Sequence, residues 1–144
     1  FKGFKRQIHE GGHRVPFVVR WPGKVTPGST CRETVGLNDF MATVADILDV
    51  SLPDDAAEDS YSILPLLTGD KTTLPEHPSV VNHDIGGRFA IRKGKWKLVP
   101  GKNTALFDLD ADPKEAKNVA AAHPEVVKEM AATLSRYQTS GRSR

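Results

Sequence analysis

The hydrophobic positions change period part-way along the chain. Val15-Pro16-Phe17-Val18-Val19-Arg20-Trp21 is a short, nearly continuous apolar run. It predicts a strand buried on both faces, with a buried helical segment as the alternative reading of the same pattern. Pro16 stands near its start, where a missing ladder donor is tolerated, and Pro22-Gly23 and Pro27-Gly28 mark turns after it. Leu37, Phe40, Met41, Val44, Ala45, Ile47 and Leu48 then recur at helical spacing. They predict one apolar stripe on a helix that ends near Val50, ahead of Pro53. Asn38, Asp39, Asp46 and Asp49 fall on or beside the opposite face. Residues 54–60 are acidic and turn-rich and read as a surface loop, and residues 64–69 form a short apolar plug.

Beyond this point the period shortens. Ser79-Val80-Val81 starts a strand. Phe89-Ala90-Ile91-Arg92 and Lys95-Trp96-Lys97-Leu98 alternate apolar with polar or small residues, the pattern of half-exposed antiparallel strands. Lys93-Gly94 between them is a compact hairpin turn with Gly94 free to take positive φ. Residues 105–109 give a third strand, and Asp112-Pro113 turns the chain. Pro124 suits the first position of a last helix. Val126, Val127, Met130, Leu134 and Tyr137 form its apolar side. The pattern therefore reads as a strand and helix from an α/β layer, followed by a small α+β unit. The boundary falls between Gly69 and Pro78.

Composition adds little to this and excludes much. The chain has 144 residues, with 20 Lys plus Arg against 18 Asp plus Glu, a formal charge of only +2. Hydrophobic residues make up 38% and charged residues 26%, which places the chain among ordinary globular proteins. The small charge does not call for nucleic acid or an anionic membrane. No apolar run is long enough for a membrane-spanning helix. Cys31 is the only cysteine, so no intrachain disulfide and no Cys-rich metal site is possible. Phe1 stands where an intact product has Met, and no leader follows it, so the sequence reads as a piece of a longer chain.

Candidate chemistry gathers in the opening residues. Lys2, Lys5, Arg6 and Arg14 are cationic there, His9 and His13 are able to become so, and Gly3, Gly11 and Gly12 let backbone approach a ligand. Cationic side chains beside accessible N–H groups suit an oxyanion. The plainer reading is a solvated basic loop with Arg14 paired to Glu10. His9 and His13 are four apart, but Gly11 and Gly12 argue against a helix that would align them on a metal. Cys31 reads as a small filler rather than a nucleophile. His83-Asp84 ahead of Gly86-Gly87 sits at a strand exit, where it either touches a ligand or braces the turn. Lys93, Lys95 and Lys97 around Trp96 resemble a nucleic-acid stacking strip, but alternation places Trp96 in the core and the lysines in solvent.

A further set of segments resembles a known family. Gly3-Phe4-Lys5-Arg6, Glu10-Gly11-Gly12-His13-Arg14-Val15-Pro16-Phe17 and Arg20-Trp21-Pro22-Gly23 are similar to the arylsulfatase-type sulfatases of the alkaline-phosphatase-like superfamily. Leu37-Asn38-Asp39-Phe40, Ile63-Leu64-Pro65-Leu66-Leu67-Thr68-Gly69, Arg92-Lys93-Gly94-Lys95-Trp96-Lys97-Leu98 and Leu106-Phe107-Asp108-Leu109 with Asp112-Pro113-Lys114-Glu115 and Asn118 follow in the family's order. The resemblance implies an α/β fragment of the sulfatase fold over residues 1–72. It implies a small α+β C-terminal subdomain over 73–144, an antiparallel sheet of three to four strands with one packed helix.

It also implies a role. Sulfatases hydrolyse sulfate esters with a formylglycine nucleophile and a divalent cation, usually calcium, whose residues lie upstream of the region matched here. Cys31 is followed by Arg32-Glu33-Thr34 and does not fit the modification motif. The chain thus resembles the C-terminal third of a sulfatase, with no metal ligand of its own, and catalytically silent alone. Lys5, five positions before Glu10, matches the family lysine that contacts the sulfate group. Glu10, Gly11, Gly12 and Arg14 match the block that holds its loop, and His83 falls where the small subdomain approaches substrate. The implied partners are a sulfate ester and the N-terminal sulfatase domain, and the implied setting is periplasmic or extracellular. A phosphoesterase or phosphonate hydrolase of the same superfamily, and a non-catalytic binding or assembly module, are the alternatives.

Overall fold

The computed structural model describes residues 1–75 and 77–143. The chain gathers into two compact units. One joins Phe1–Pro16 to Ser79–Gly141, and the other comprises Phe17–Pro78 with the tail from Arg142.

The first unit is built on a four-stranded antiparallel meander, in the order β1 (Val80–His83), β2 (Phe89–Lys93), β3 (Trp96–Val99) and β4 (Ala105–Asp108). The β2–β3 turn needs Gly94, whose φ is +54°. Register places Ile91, Leu98 and Leu106 side by side in one row. The C-terminal helix α4 (Pro124–Ser140) lays Met130 and Leu134 against that row, and all five side chains are buried. Trp96, Val126, Val127 and Tyr137 ring this core, as the helical and strand periodicities predict. Asn118 steadies the outer edge of β4. Its Oδ1 accepts from the backbone N–H of Leu106 and Ala120, and its Nδ2 donates to the Thr104 carbonyl.

The neighbouring row carries Arg92, Lys97 and Phe107 and therefore points to the other face. Alternation predicts that this face meets water, with Lys97 solvated. Instead Lys97 is 0% exposed and Phe107 is 6% exposed. The ring of His9 meets Phe107 edge-on, so the opening segment covers this face. A sheet covered on both sides still shows alternation if the second face is lined by paired ions, and that is what conceals the burial in the sequence.

The second unit holds α2 (Asp39–Ile47) and the short α3 (Leu64–Thr68), which ends at Gly69 with φ +83°. The predicted helix forms, but its apolar stripe does not supply the core. Leu37, Phe40, Met41, Ile47 and Leu48 are exposed, whereas Asp39, Thr43 and Ala45 are buried. Apart from Ala45, which belongs to the predicted stripe, the buried face is polar and hydrogen-bonded. Asp39 accepts from the N–H groups of Gly36 and Tyr61 and meets His77 Nε2 at 2.9 Å. Thr43 Oγ1 donates to the Asp39 carbonyl and accepts from Ile63 N–H. The strand predicted over 15–21 is absent. A strand is completed only by a hydrogen-bonded neighbour, and among the described residues none pairs with this run, in which Val15, Phe17 and Val18 are exposed. Cys31, expected as a filler, is an exposed free thiol.

Candidate functional site

The opening segment folds upon itself before it meets the sheet. Gly11 N–H donates to the Lys2 carbonyl, Gly12 N–H to the His9 carbonyl and Gln7 N–H to the Phe4 carbonyl, all within 3.0 Å. The strands of this knot approach so closely that a side chain would not fit. A Cβ on Gly11 would lie 2.3 Å from the Gly3 carbonyl oxygen, and one on Gly12 would lie 2.1 Å from that of Gln7. This is the physical demand behind the double glycine. It is strong enough to impose one helical turn, α1 (Glu10–His13), on residues that disfavour helix. His9 stands outside this turn as its N-cap and contacts Glu115, so His9 and His13 do not form a helical ligand pair.

Beneath the knot lies a buried cluster of charges. Lys97 Nζ sits 3.1 Å from Glu10 Oε1 and 3.1 Å from Glu115 Oε1, in both cases off the ideal hydrogen-bond direction. Arg92 Nη1 donates to the second Glu10 oxygen at 2.6 Å. The second Glu115 oxygen accepts from the Glu10 backbone N–H at 2.7 Å. Lys2 adds a hydrogen bond to the Glu115 carbonyl. Two carboxylates thus face two cations, which is the condition for keeping ions out of water. Arg14, read from sequence as the partner of Glu10, instead stacks on the Phe1 ring at 4.3 Å. Glu115 reaches into the cluster from a left-handed backbone, φ +51°, which is costly for a non-glycine residue.

Above the cluster two loops run together. Ile85 N–H donates to the Arg6 carbonyl at 3.1 Å, which ties the β1–β2 connection to the turn carrying Lys5. Arg6 holds φ +79°, and both Lys5 and His83 are exposed. His83 Nδ1 lies 3.1 Å from the Asp84 carbonyl oxygen, and its ring meets Phe89 edge-on. Asp84 accepts from the Arg88 N–H and, at 2.6 Å, from its guanidinium. The Arg88 backbone hydrogen bond, then its side chain, hold the Asp84 carboxyl below the usual carboxylate range despite burial. Burial, and after it the Lys97 charge, push the His13 imidazole down against the opposing pull of Glu10. The result is two mutually fastened loops that carry the exposed side chains of Lys5 and His83.

Comparison with known proteins decides what this arrangement belongs to. A family model described as N-sulphoglucosamine sulphohydrolase, C-terminal, matches residues 3–140. The chain belongs to the sulfatase family, as a C-terminal region. An N-acetylgalactosamine-6-O-sulfatase of Bacteroides thetaiotaomicron is 35% identical over 96% of this chain and 30% of its own length. Human arylsulfatase A is 30% identical over 85% of the chain and 30% of its own length. A solved structure from work on glycosaminoglycan metabolism by Bacteroides thetaiotaomicron superposes with a TM-score of 0.88 at 35% identity, over 96% of this chain and 32% of that one. Another, in complex with its substrate D-glucosamine-2-N,6-O-disulfate, gives a TM-score of 0.76 at 25% identity, over 93% and 30%. The chain therefore spans about a third of these relatives.

In this sulfatase C-terminal region the residues singled out from sequence are gathered on one unit: Lys5 and His83 on adjoining loops, Glu10, Gly11 and Gly12 in the knot beneath, and Arg14 at its flank. The residues that sequence reasoning missed are Lys97, Arg92 and Glu115. One signal of them was present: in the β3–β4 register Phe107 shares a row with Lys97, and an apolar neighbour on a supposedly wet face indicates a cover. Among the described residues no three His, Cys, Asp or Glu side chains gather as a metal site. The buried carboxylates Glu10 and Glu115 already face cations.

Proposed function

We propose that this chain is the C-terminal part of an enzyme that hydrolyses sulfate esters. Its own contribution is Lys5, an ammonium that contacts the sulfate group, beside a cleft wall formed by the loop of His83. The nucleophile and the cation belong to residues of the N-terminal sulfatase domain, so this chain alone is expected to turn over no ester. The observation that carries the reading is the sulfatase family match spanning the segment in which Lys5 is exposed on a braced loop. Charge grows on the ester and sulfuryl oxygens as the sulfur–oxygen bond breaks. A fixed ammonium beside them stabilises that charge without giving up a proton, and its rigid base means that little reorganisation is needed.

The exposed apolar side chains on α2 and at its two ends support the N-terminal domain as partner, since Phe40, Met41 and Ile47 on the helix and Leu37 and Leu48 beside it lie open. The relatives named for sulfated amino sugars make a sulfated glycan the first substrate class to assay, alongside an aryl sulfate and a phosphate monoester. In the full-length enzyme, Lys5→Ala is expected to lower kcat on the sulfate ester by about 10²–10³, with the circular-dichroism spectrum unchanged. Unaltered kinetics would remove Lys5 from the site, and turnover of the phosphate ester alone would replace sulfatase by phosphoesterase.

A further inference from the structure

We infer that Lys97 is a positioning residue for Lys5. Clamped between Glu10 and Glu115, it fixes the base of the opening knot and so the place at which the Lys5 ammonium stands. The inference rests on the reading of Lys5 given above.

Lys97 is fully buried on β3, one of the two inner strands, so it cannot meet substrate itself. Its two partners come from opposite ends of the chain. Glu10 divides its oxygens between Lys97 on β3 and Arg92 on β2, and is thereby located against two strands at once. Glu115 reaches Lys97 with one oxygen and the Glu10 backbone with the other, at the cost of a left-handed φ. The segment around Lys5 and Glu10 has little freedom, because Gln7 N–H ties back to the Phe4 carbonyl across the Lys5 turn, Gly11 N–H to the Lys2 carbonyl and Gly12 N–H to the His9 carbonyl, and Gly11 and Gly12, next to Glu10, leave no room for a side chain. A displacement at Glu10 therefore passes to the Lys5 turn. Leucine at position 97 would bury as well, but apolar contact is non-directional and would let the knot slide. Buried ions are weak evidence for stability, and fixing one register is their best-attested use.

The test is a set of double-mutant cycles in the full-length enzyme, with kcat and KM per folded molecule measured on a sulfate ester, and with inorganic sulfate as competitive probe. Lys97→Met and Glu115→Gln are each expected to lower kcat by about 10–100-fold, the scale on which a misplacement of about 1 Å acts, with a smaller change in KM and weaker inhibition by sulfate. Lys97→Arg keeps the charge and should retain more kcat than Lys97→Met. Combined with Lys5→Ala, each substitution should cost almost nothing further in kcat, because the group it positions is gone. A merely structural clamp would instead lower the folded fraction and leave kcat per folded molecule intact. That result, or losses that multiply with Lys5→Ala, overturns the proposal while leaving Lys5 in the site. If Lys5→Ala itself leaves kcat unchanged, both readings fall. Should Lys97→Met not fold, Glu115→Gln decides, since its amide oxygen still accepts from the Glu10 N–H.

Discussion

The charge cluster under the opening segment makes a quantitative demand on stability. Consider Lys97→Met, which preserves length and removes the ammonium. Glu10 keeps Arg92 at 2.6 Å and stays paired. Glu115, 0% exposed, keeps the Glu10 N–H at 2.7 Å and His9 Nδ1 at 3.3 Å, but loses its buried cation. Removing one partner of a buried ion pair typically costs about 3–5 kcal/mol, because the remaining charge is left uncompensated. The double variant Lys97→Met/Glu115→Gln removes that charge as well. It is expected to recover most of the loss and to lie within about 2 kcal/mol of the starting protein, since replacing both ions is often close to neutral. The coupling between the two sites should then be at least about 1–3 kcal/mol. Urea unfolding of the full-length chain, followed through the transition that releases this region, gives both midpoints and slopes. A neutral Lys97→Met, or a double variant as unstable as the sum of its singles, would refute the view that Glu115 depends on Lys97.

The remaining predictions concern other parts of the chain. Leu98→Ala opens a cavity in the fully buried row between Ile91 and Leu106, and should cost about 2–5 kcal/mol in the same unfolding experiment. The Asp39–His77 contact should be pH-dependent. Burial pushes the His77 imidazole down, but the Asp39 hydrogen bond and charge, with the Pro78 carbonyl, outweigh it and leave the group raised. A raised pKa means that the contribution is fully present below the ordinary histidine value of about 6.5 and is lost as pH climbs through the folded value. The stability difference between the protein and His77→Gln should therefore shrink as pH increases above neutrality; a difference that grows over that range contradicts the assignment.

Much of the fold was legible because its signals are local. Pro124 and the apolar spacing through Tyr137 marked α4, and Lys93-Gly94 marked the hairpin, since backbone freedom and helical period are properties of neighbouring residues. The glycines of the opening segment announced close approach, although not that the approach would be to its own backbone. Lys97 was misread for a physical reason. A solvated lysine and a buried, doubly paired lysine occupy the same alternating position, and only the distant Glu10 and Glu115 distinguish them. Asp39 was misplaced in the same way, its burial depending on His77 and Tyr61 far along the chain. The run from Val15 to Trp21 carries strand composition without a strand, because pairing is decided by what lies beside it. Lys5 and His83 were legible as candidates from their settings, but their adjacency depends on the Ile85–Arg6 hydrogen bond, which no spacing reveals.

The clamp on Glu10 also imposes an order on biosynthesis. Ribosomes release the amino end first, at about 5–20 residues per second, yet the anchors for Glu10 are Arg92, Lys97 and Glu115. For several seconds the nascent segment carries an acid with nowhere to dock, and it settles only after β4 and the Asp112 turn have emerged. Such long-range closure is intrinsically slow. The segment that carries Glu10 is thus completed only by residues made after it, and a premature stop before Glu115 would deprive it of the contacts that Glu115 makes to its backbone and to Lys97.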